Sequence, residues 1–369
     1  MKVPVSIPDL SGNEEKYVVD ALRSTWISST GSYVKQFESE FARVAGTRYA
    51  LSVANGTLAL HLAMIALGVG PGDEVIVPSL TYIATANAVK YVGGTPVFVD
   101  VDPATWCMDP SKIEAEITPR TKGIIPVALY GHPADMDAIN SIAMKHGLWV
   151  VDDTAEAHMA TYRGRPAGSL AAINAFSFYG NKIITSGEGG ALTYDDPDLD
   201  QRLRMLRNQG MDPGRRYYFP IVGYNFRLTN IACALLCAQL ERRDQIVARR
   251  REIFATYRKL LAPVPGIGFQ PVADWAVPAP WLFCATIDQN EFGMDRDALA
   301  EKLGEKGIDT RPFFVPLHSL PPYQTGDHGA DKFPETEKLA RDGINLPTFG
   351  GLSDAQIEYV CQSIAALRQ

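Results

Sequence analysis

Ser177-Phe-Tyr-Gly-Asn-Lys-Ile-Ile-Thr-Ser-Gly-Glu-Gly-Gly190 places one lysine, Lys182, between an apolar, aromatic run and a glycine-rich turn. The pattern predicts short buried strands over Asn174–Phe178 and Ala191–Tyr194. A lysine between two buried strands is costly, because burial disfavours the ammonium form. A lysine with a lowered pKa is a nucleophile that can form a Schiff base with an aldehyde cofactor. Taken alone, the stretch is equally compatible with a surface lysine in a loop.

Predicted strands and helices alternate around this stretch, which favours an α/β fold with a parallel sheet covered on both faces. The predicted strands are Ala50–Val53, Glu74–Val77, Pro96–Val99, Gly123–Leu129 and Leu148–Asp152, and the helices between them are Thr57–Ala66, Thr81–Val92, Ser111–Ile117 and Met136–Lys145. Ligands bind beyond the carboxyl ends of the strands in such sheets. Four features follow a predicted strand: Asn55-Gly-Thr57, Tyr82, Asp153 and Lys182. We therefore expect them to meet at one edge.

Two domains are expected. A capping box at Ser11 and Glu14 predicts a first helix that ends near Arg23. One long helix, with or without a bend, is predicted over Thr229–Arg258, and Pro263–Pro280 with its five prolines follows it. The expectation is that residues 1–259 hold the N-terminal segment and the larger, cofactor-binding domain. Residues 260–369 are expected to form a smaller α+β domain.

Composition excludes several classes of protein. The 369 residues are 46% hydrophobic, as in an ordinary globular protein, and the net charge of −7 disfavours a nucleic-acid binder. No run of apolar residues is long enough for a membrane span, and Met1–Leu10 does not read as a secretory signal. The five cysteines lack zinc-like pairing, so no metal site is expected, and Cys233 and Cys237 are expected to be core thiols. We expect a cytoplasmic protein.

The residues at strand ends suggest an anionic, aromatic ligand. Free N–H groups after Asn55 could bind a phosphate, although Asn-Gly-Thr also caps helices that bind nothing. A carboxylate at the end of Leu148–Asp153 needs a cationic partner, such as a pyridinium nitrogen. Asp153 is preferred to Asp152, since period two leaves Asp152 within the strand. Tyr82 could stack on a flat ring or belong to the core. Together these groups match the requirements of pyridoxal 5′-phosphate (PLP).

At this point the sequence resembles the DegT/DnrJ/EryC1/StrS family of sugar aminotransferases over nearly its whole length. The resemblance rests on seven motifs: Ser52-Val-Ala-Asn-Gly-Thr57, Gly70-Pro-Gly-Asp-Glu-Val-Ile-Val-Pro-Ser79, Gly94-Thr-Pro-Val-Phe-Val-Asp100, Asp152-Asp-Thr-Ala-Glu156, Ser177-Phe-Tyr-Gly-Asn-Lys182, Gly187-Glu-Gly-Gly190 and Gly223-Tyr-Asn-Phe-Arg-Leu-Thr229. It implies PLP-dependent transferase fold type I, as in aspartate aminotransferase. The larger domain would then hold a mostly parallel seven-stranded sheet.

The resemblance also implies roles for individual residues. Lys182 matches the lysine that binds the cofactor covalently, and Asp153 matches the aspartate at the pyridine nitrogen. The remaining implied cofactor contacts are Gly56, Thr57 and Ser177 at the phosphate, Tyr82 against the ring and Glu156 near the ring hydroxyl. Asn225 matches an asparagine that reaches the phosphate of the neighbouring subunit's cofactor, so the resemblance implies a homodimer with shared active sites.

Within the family, the loop motifs look most like enzymes that aminate GDP-4-keto-6-deoxymannose to GDP-perosamine for O-antigen synthesis, with L-glutamate as amino donor. The predicted substrate contacts are Trp26 and Ser28 in the loop Ser24–Gly31, together with Arg227, Arg311 and His318. Arginine suits carboxylate and phosphate groups, but each of these cations could instead form an ordinary ion pair. Alternatives are an aminotransferase for another nucleotide ketosugar, a regulator on the same fold, and a dehydratase, against which Lys182 argues.

Overall fold

The computed structural model describes residues 1–324 and 330–369 of the chain. Within these residues the central feature is a seven-stranded sheet in the order β1-β9-β8-β5-β4-β2-β3. Its strands are β1 Tyr49–Val53, β2 Glu74–Pro78, β3 Thr95–Val99, β4 Thr121–Ile124, β5 Trp149–Asp153, β8 Ile173–Ser177 and β9 Gly190–Tyr194. Only β9 in this sheet runs antiparallel to its neighbours. The predicted α/β fold with a mostly parallel seven-stranded sheet is therefore confirmed.

Helices cover both faces of this sheet. They are α1 Glu14–Arg23, α2 Ser32–Ala45, α3 Gly56–Ala66, α4 Ala84–Tyr91, α5 Met136–His146, α6 Pro197–Arg207 and α7 Asn230–Glu241. Successive strand side chains point to opposite faces, so Val150 packs into one core cluster and Val151 into the other. Cys233 and Cys237 of α7 are buried free thiols, as expected. Burial on both faces explains why these strands are continuously apolar.

A second, antiparallel sheet follows in the order β10-β12-β14-β13. Its strands are β10 Ile267–Phe269, β12 Phe283–Ile287, β13 Arg311–Pro312 and β14 Gly343–Leu346, and its helices are α8 Arg243–Leu261, α9 Gln289–Phe292, α10 Arg296–Glu305, α11 Pro334–Asp342 and α12 Asp354–Leu367. A short sheet of β6 Thr161–Tyr162, β7 Arg165–Pro166 and β11 Ala276–Val277 completes the strands described. Apolar side chains of α8, with Val3, join the core of the second sheet. Because the first half of α8 packs into the core of the larger sheet and its second half into that of the smaller one, we propose that the smaller domain begins near residue 260, at the end of α8.

Local predictions failed at several points. The segment Thr229–Arg258, predicted as one long helix with or without a bend, forms the two helices α7 and α8, because Arg242 leaves helical geometry between them. Ser111–Ile117 forms two short 3-10 turns instead of an α-helix. The capping box was wrong, since the Ser11 hydroxyl donates to Asp9 and the helix begins without a side-chain cap. No helix of the described residues is long and apolar enough to cross a bilayer.

Candidate active site

A cleft of about 410 Å³ opens at the carboxyl ends of the parallel strands. The residues predicted to hold the cofactor meet there, and those that line it are Gly56, Thr57, Tyr82, Asp153, Glu156, Ser177 and Lys182. They come from the ends of β5 and β8, from the turns that follow β2, β5 and β8, and from the start of α3. This is the position at which open α/β sheets bind ligands. Asn225 does not line the cleft of its own chain.

Lys182 lies in the turn that follows β8, where its backbone N–H donates to the carbonyl of Tyr179. Its Nζ atom lies 3.8 Å from the centre of the Trp281 ring. Burial lowers the pKa of the Lys182 ammonium, and the nearby carboxylates of Glu156 and Asp153 oppose that shift. A lysine in this setting gives up its proton more readily than an exposed one, as a nucleophile or a base requires.

Asp153 is the last residue of β5, and its carboxylate is buried in the cleft. It accepts hydrogen bonds from the Thr85 hydroxyl at 2.8 Å and from the Ala155 N–H at 3.2 Å. Burial raises the pKa of the Asp153 carboxyl, because the ionised form has lost its contact with water. A cation next to this carboxyl would stabilise the ionised form and would itself be stabilised by it. Asp152 does not line the cleft, and its buried Oδ1 atom has no hydrogen-bond partner. The structure thus places Asp153, and not Asp152, in the cleft.

Glu156 lines the same cleft and is buried. Its Oε2 atom accepts a hydrogen bond of 2.7 Å from the backbone N–H of Tyr130. Burial raises the pKa of the Glu156 carboxyl to about 7, although Lys182 and the Tyr130 N–H both favour the ionised form. Glu156 is therefore a group that can exchange a proton near neutral pH.

The raised pKa of Glu156 has a consequence for stability. A carboxyl whose folded pKa is raised favours folding at pH values below its unfolded pKa, and this contribution is lost as the pH rises through the folded pKa. Glu156→Gln removes the titration and keeps an acceptor for Tyr130. We expect the stability of the cofactor-free wild type, relative to this variant, to fall as the pH rises from 4.5 to above 7. Denaturant titrations across this range measure it, and parallel profiles for the two proteins would contradict it.

A site for a phosphate lies at the start of α3. The Asn55 side chain caps the helix by accepting from the Leu58 N–H at 2.9 Å, which leaves the N–H groups of Gly56 and Thr57 without partners inside the helix. The Ser177 side chain lies against Gly56. A Cβ atom at Gly56 would stand 2.7 Å from the Ser177 Cβ and 3.2 Å from its hydroxyl oxygen. The helix N-terminus and two hydroxyl groups favour an anion here.

The residues present fit pyridoxal 5′-phosphate. The cleft offers a phosphate site, a buried carboxylate for a protonated ring nitrogen and a lysine for the aldehyde carbon. Asn181 contributes a buried Oδ1 atom without a hydrogen-bond partner, in the same cleft. Tyr82 lies at the mouth with its ring half exposed and 5.8 Å from the ring of Phe314. The helix that follows Tyr82 begins only at Ala84, later than predicted.

None of the five predicted substrate contacts lines this cleft. Arg227 donates to the side-chain oxygens of Asn225 and Asn208, at 2.9 and 2.8 Å. Arg311 is exposed and pairs with Asp309 at 2.6 Å. Trp26 is exposed in its loop, whose backbone oxygens at Trp26 and Ser28 accept hydrogen bonds from Asn230.

His318 is buried and is not among the residues that line the cleft. Its ring bonds Ser79 at 2.7 Å and Glu337 at 2.9 Å. These contacts favour a structural role, and substrate binding by His318 stays a prediction. The residues of the cleft that sequence reasoning did not select include Asn181, Trp281 and Phe314. Trp281 and Phe314 come from distant parts of the chain, and nothing in their local sequence marks them.

Comparisons with known proteins agree with this geometry. Residues 8–365 match the model of the DegT/DnrJ/EryC1/StrS aminotransferase family. The chain belongs to this family. It is 48% identical to GDP-perosamine synthase of Caulobacter vibrioides over 369 residues, covering 100% of this chain and 98% of the relative. GDP-perosamine synthase of Escherichia coli O157:H7 is 44% identical over 362 residues, covering 98% and 97% of the two chains.

A solved structure also resembles the fold. The crystal structure of DesV from Streptomyces venezuelae is 39% identical, has a TM-score of 0.91 and is matched over 99% of this chain and 98% of that chain. The protein is thus a PLP-dependent aminotransferase of fold type I, as the sequence motifs implied.

Proposed function

We propose that this aminotransferase moves the amino group of L-glutamate onto a nucleotide-linked 4-keto-6-deoxy sugar, converting GDP-4-keto-6-deoxymannose to GDP-perosamine for the O-antigen of a cell-surface polysaccharide. The observation that carries the amino-transfer chemistry is the meeting of Lys182, Asp153 and Glu156 in one cleft. The choice of sugar is supported by the two relatives named GDP-perosamine synthase, each matched over nearly its whole length.

Pyridoxal 5′-phosphate supplies an electron sink that stabilises negative charge at the amino acid Cα. Asp153 would hold the ring nitrogen in its protonated form, and Thr57, Ser177 and the N-terminus of α3 would hold the phosphate. Lys182 would take the proton from the donor Cα through its Nζ atom and return it to complete the transfer. The lowered pKa of Lys182 favours the neutral amine that this step requires.

Recognition of two anionic substrates needs cations. Among the described residues that line the cleft, Lys182 is the one cation, although glutamate carries two carboxylates and the nucleotide sugar a diphosphate. Arg227 is the strongest candidate, because both of its hydrogen bonds go to neutral amides. We propose that Asn225 and Arg227 serve the cleft of a second subunit in a homodimer. Exposed apolar side chains in the same loop support such an interface: Tyr217, Phe219, Ile221 and Val222.

Arg227→Ala is expected to weaken the use of glutamate or of the nucleotide sugar by about 2 kcal/mol, the scale of a lost charge-assisted hydrogen bond. Cofactor absorbance should persist. Arg311→Ala is a comparison variant, and we expect a smaller loss because Asp309 already compensates the charge of Arg311. Steady-state kinetics with each substrate varied in turn measure both effects. Unchanged KM and kcat for Arg227→Ala would contradict its proposed role.

A shared site predicts complementation between two inactive proteins. Lys182→Ala and the double variant Asn225→Ala/Arg227→Ala each lose activity when alone. Mixed dimers of the two carry one intact site, so random pairing should restore roughly a quarter of wild-type activity. The measurement is an activity assay after co-expression, with sedimentation to establish the oligomeric state. Mixing that restores no activity, or a protein that stays monomeric with its cofactor bound, would contradict the shared site.

The substrate itself is tested with a panel of nucleotide ketosugars and glutamate as donor. The proposal expects the highest kcat/KM for GDP-4-keto-6-deoxymannose and an aminated product. Higher kcat/KM for a ketosugar on another nucleotide would favour the alternative aminotransferase. No turnover with any sugar, while glutamate still changes cofactor absorbance, would favour a regulator. A cytoplasmic location is also proposed, and the five buried free thiols support a reducing compartment.

A further inference from the structure

The contact between Trp281 and Lys182 is not explained by the roles assigned so far. Trp281 lies just before β12, in the part of the chain that we assign to the smaller domain, and only 4% of it is exposed. The face of its ring lies against the Lys182 Nζ atom, 3.8 Å from the ring centre. Its indole Nε1–H donates a hydrogen bond of 2.9 Å to the carbonyl of Asn181. One side chain therefore holds both the backbone next to Lys182 and the amine itself.

We propose that Trp281 is a positioning residue that orients Lys182 for proton transfer and stabilises its cationic form. The inference rests on the proposed role of Lys182 as the group that moves the proton. During a catalytic cycle that amine must be protonated and deprotonated in turn, so a surface that binds the ammonium sets how easily the proton leaves. The face of an indole is the strongest such surface among aromatic side chains.

Trp281 is itself fixed from two sides. The buried guanidinium of Arg250 donates from Nη1 to the Trp281 carbonyl at 2.8 Å, and also to the Thr348 carbonyl at 3.4 Å. On the other side the ring of Tyr130 stacks on the indole, with centres 6.3 Å apart and planes at 22°. A side chain held in this way can impose a position on the flexible lysine, because its own rotamer is set by the packing.

Other charged or titratable groups also act on Lys182. Glu156 and Asp153 raise its pKa, while burial lowers it. His158 lies nearby, and its burial lowers the pKa of the imidazole to about 3, so this ring is neutral at working pH. Arg250 is buried and donates a hydrogen bond to the Trp281 carbonyl. None of these groups is removed when Trp281 is replaced, so a change in the titration of Lys182 is assignable to the indole.

The test compares Trp281→Phe with Trp281→Leu in the holoenzyme. Phenylalanine keeps an aromatic face and loses the hydrogen bond to Asn181, whereas leucine loses both. We expect Trp281→Leu to move the pH midpoint of the cofactor absorbance, and the acid limb of kcat/KM, to lower pH by about one unit. Trp281→Phe should move the midpoint less than Trp281→Leu does, because it keeps a weaker aromatic face, and should lose kcat by up to about tenfold. Thermal melting of both variants establishes that they are folded.

The outcomes separate this inference from the proposed function. The role of Trp281 is overturned if Trp281→Leu keeps the wild-type pH midpoint or moves it to higher pH. It is also overturned if the two variants shift the midpoint equally. If the wild-type enzyme itself transfers no nitrogen, the proposed function fails, and the absorbance titration still reports whether Trp281 acts on Nζ. A leucine variant that melts like wild type and shows the lowered midpoint supports the inference directly.

Discussion

Lys182→Ala is expected to reduce amino transfer by at least about 10³-fold, because the variant loses both the covalent partner of the cofactor and the proton carrier. Lys182→Arg keeps a positive charge, but its guanidinium does not give up a proton near neutral pH, so it should fail as well. Single-turnover kinetics with glutamate and the cofactor absorbance spectrum measure both variants.

The control for this prediction is Lys145→Ala. Lys145 is an exposed lysine that pairs with Glu114 at the surface, far from the chemistry assigned to the cleft. We expect its replacement to leave turnover unchanged. A Lys182→Ala enzyme that completes cycles at the wild-type rate would show that Lys182 does not carry the reaction.

Asp153→Asn is expected to lower kcat/KM by about 10²-fold or more, because the protonated ring nitrogen loses a buried carboxylate partner. The amide keeps the size of the side chain and can still accept from the Thr85 hydroxyl. Asp152→Asn is the matched control, since this neighbouring carboxyl is equally buried but does not line the cleft.

The comparison of the two asparagine variants decides which aspartate serves the cofactor. Steady-state kinetics and the pH dependence of cofactor absorbance are measured for both. The expected pattern is a large loss of kcat/KM at Asp153 and little loss at Asp152. Equal losses, or a larger loss in Asp152→Asn, would contradict the assignment.

The sequence allowed the sheet and the cleft to be predicted because both depend on local patterns. Apolar runs that end in Asp153 or lead to Lys182 indicate buried strands with functional groups at their carboxyl ends, and one edge of a parallel sheet gathers those groups. The sequence left open whether the long helix bends and did not locate the break at Arg242, because the helical periodicity continues across it. The false capping box at Ser11 shows that a nearby Asp9 carboxylate can compete for the hydroxyl.

Contacts between distant segments were beyond sequence reasoning. Trp281 lies 99 residues after Lys182 and reaches it only because the second sheet packs beside the first. Its hydrogen bond to Asn181 does not change the hydrophobic periodicity of either segment, so the sequence pattern does not predict this contact. The same holds for Glu156, whose raised pKa depends on burial and on the Tyr130 N–H. The residue types of the site could be predicted from the sequence, but the burial and hydrogen bonds that set their pKa values come from tertiary packing.

The central claim is that nitrogen passes from glutamate to the ketosugar in this cleft. The most direct measurement incubates the holoenzyme with glutamate carrying heavy nitrogen and with GDP-4-keto-6-deoxymannose, and then weighs the sugar product by mass spectrometry. The account predicts one heavy nitrogen in each product molecule, an equal amount of 2-oxoglutarate, and no product with Lys182→Ala. Sugar consumed without incorporation of the label, or label released as ammonium, would contradict it.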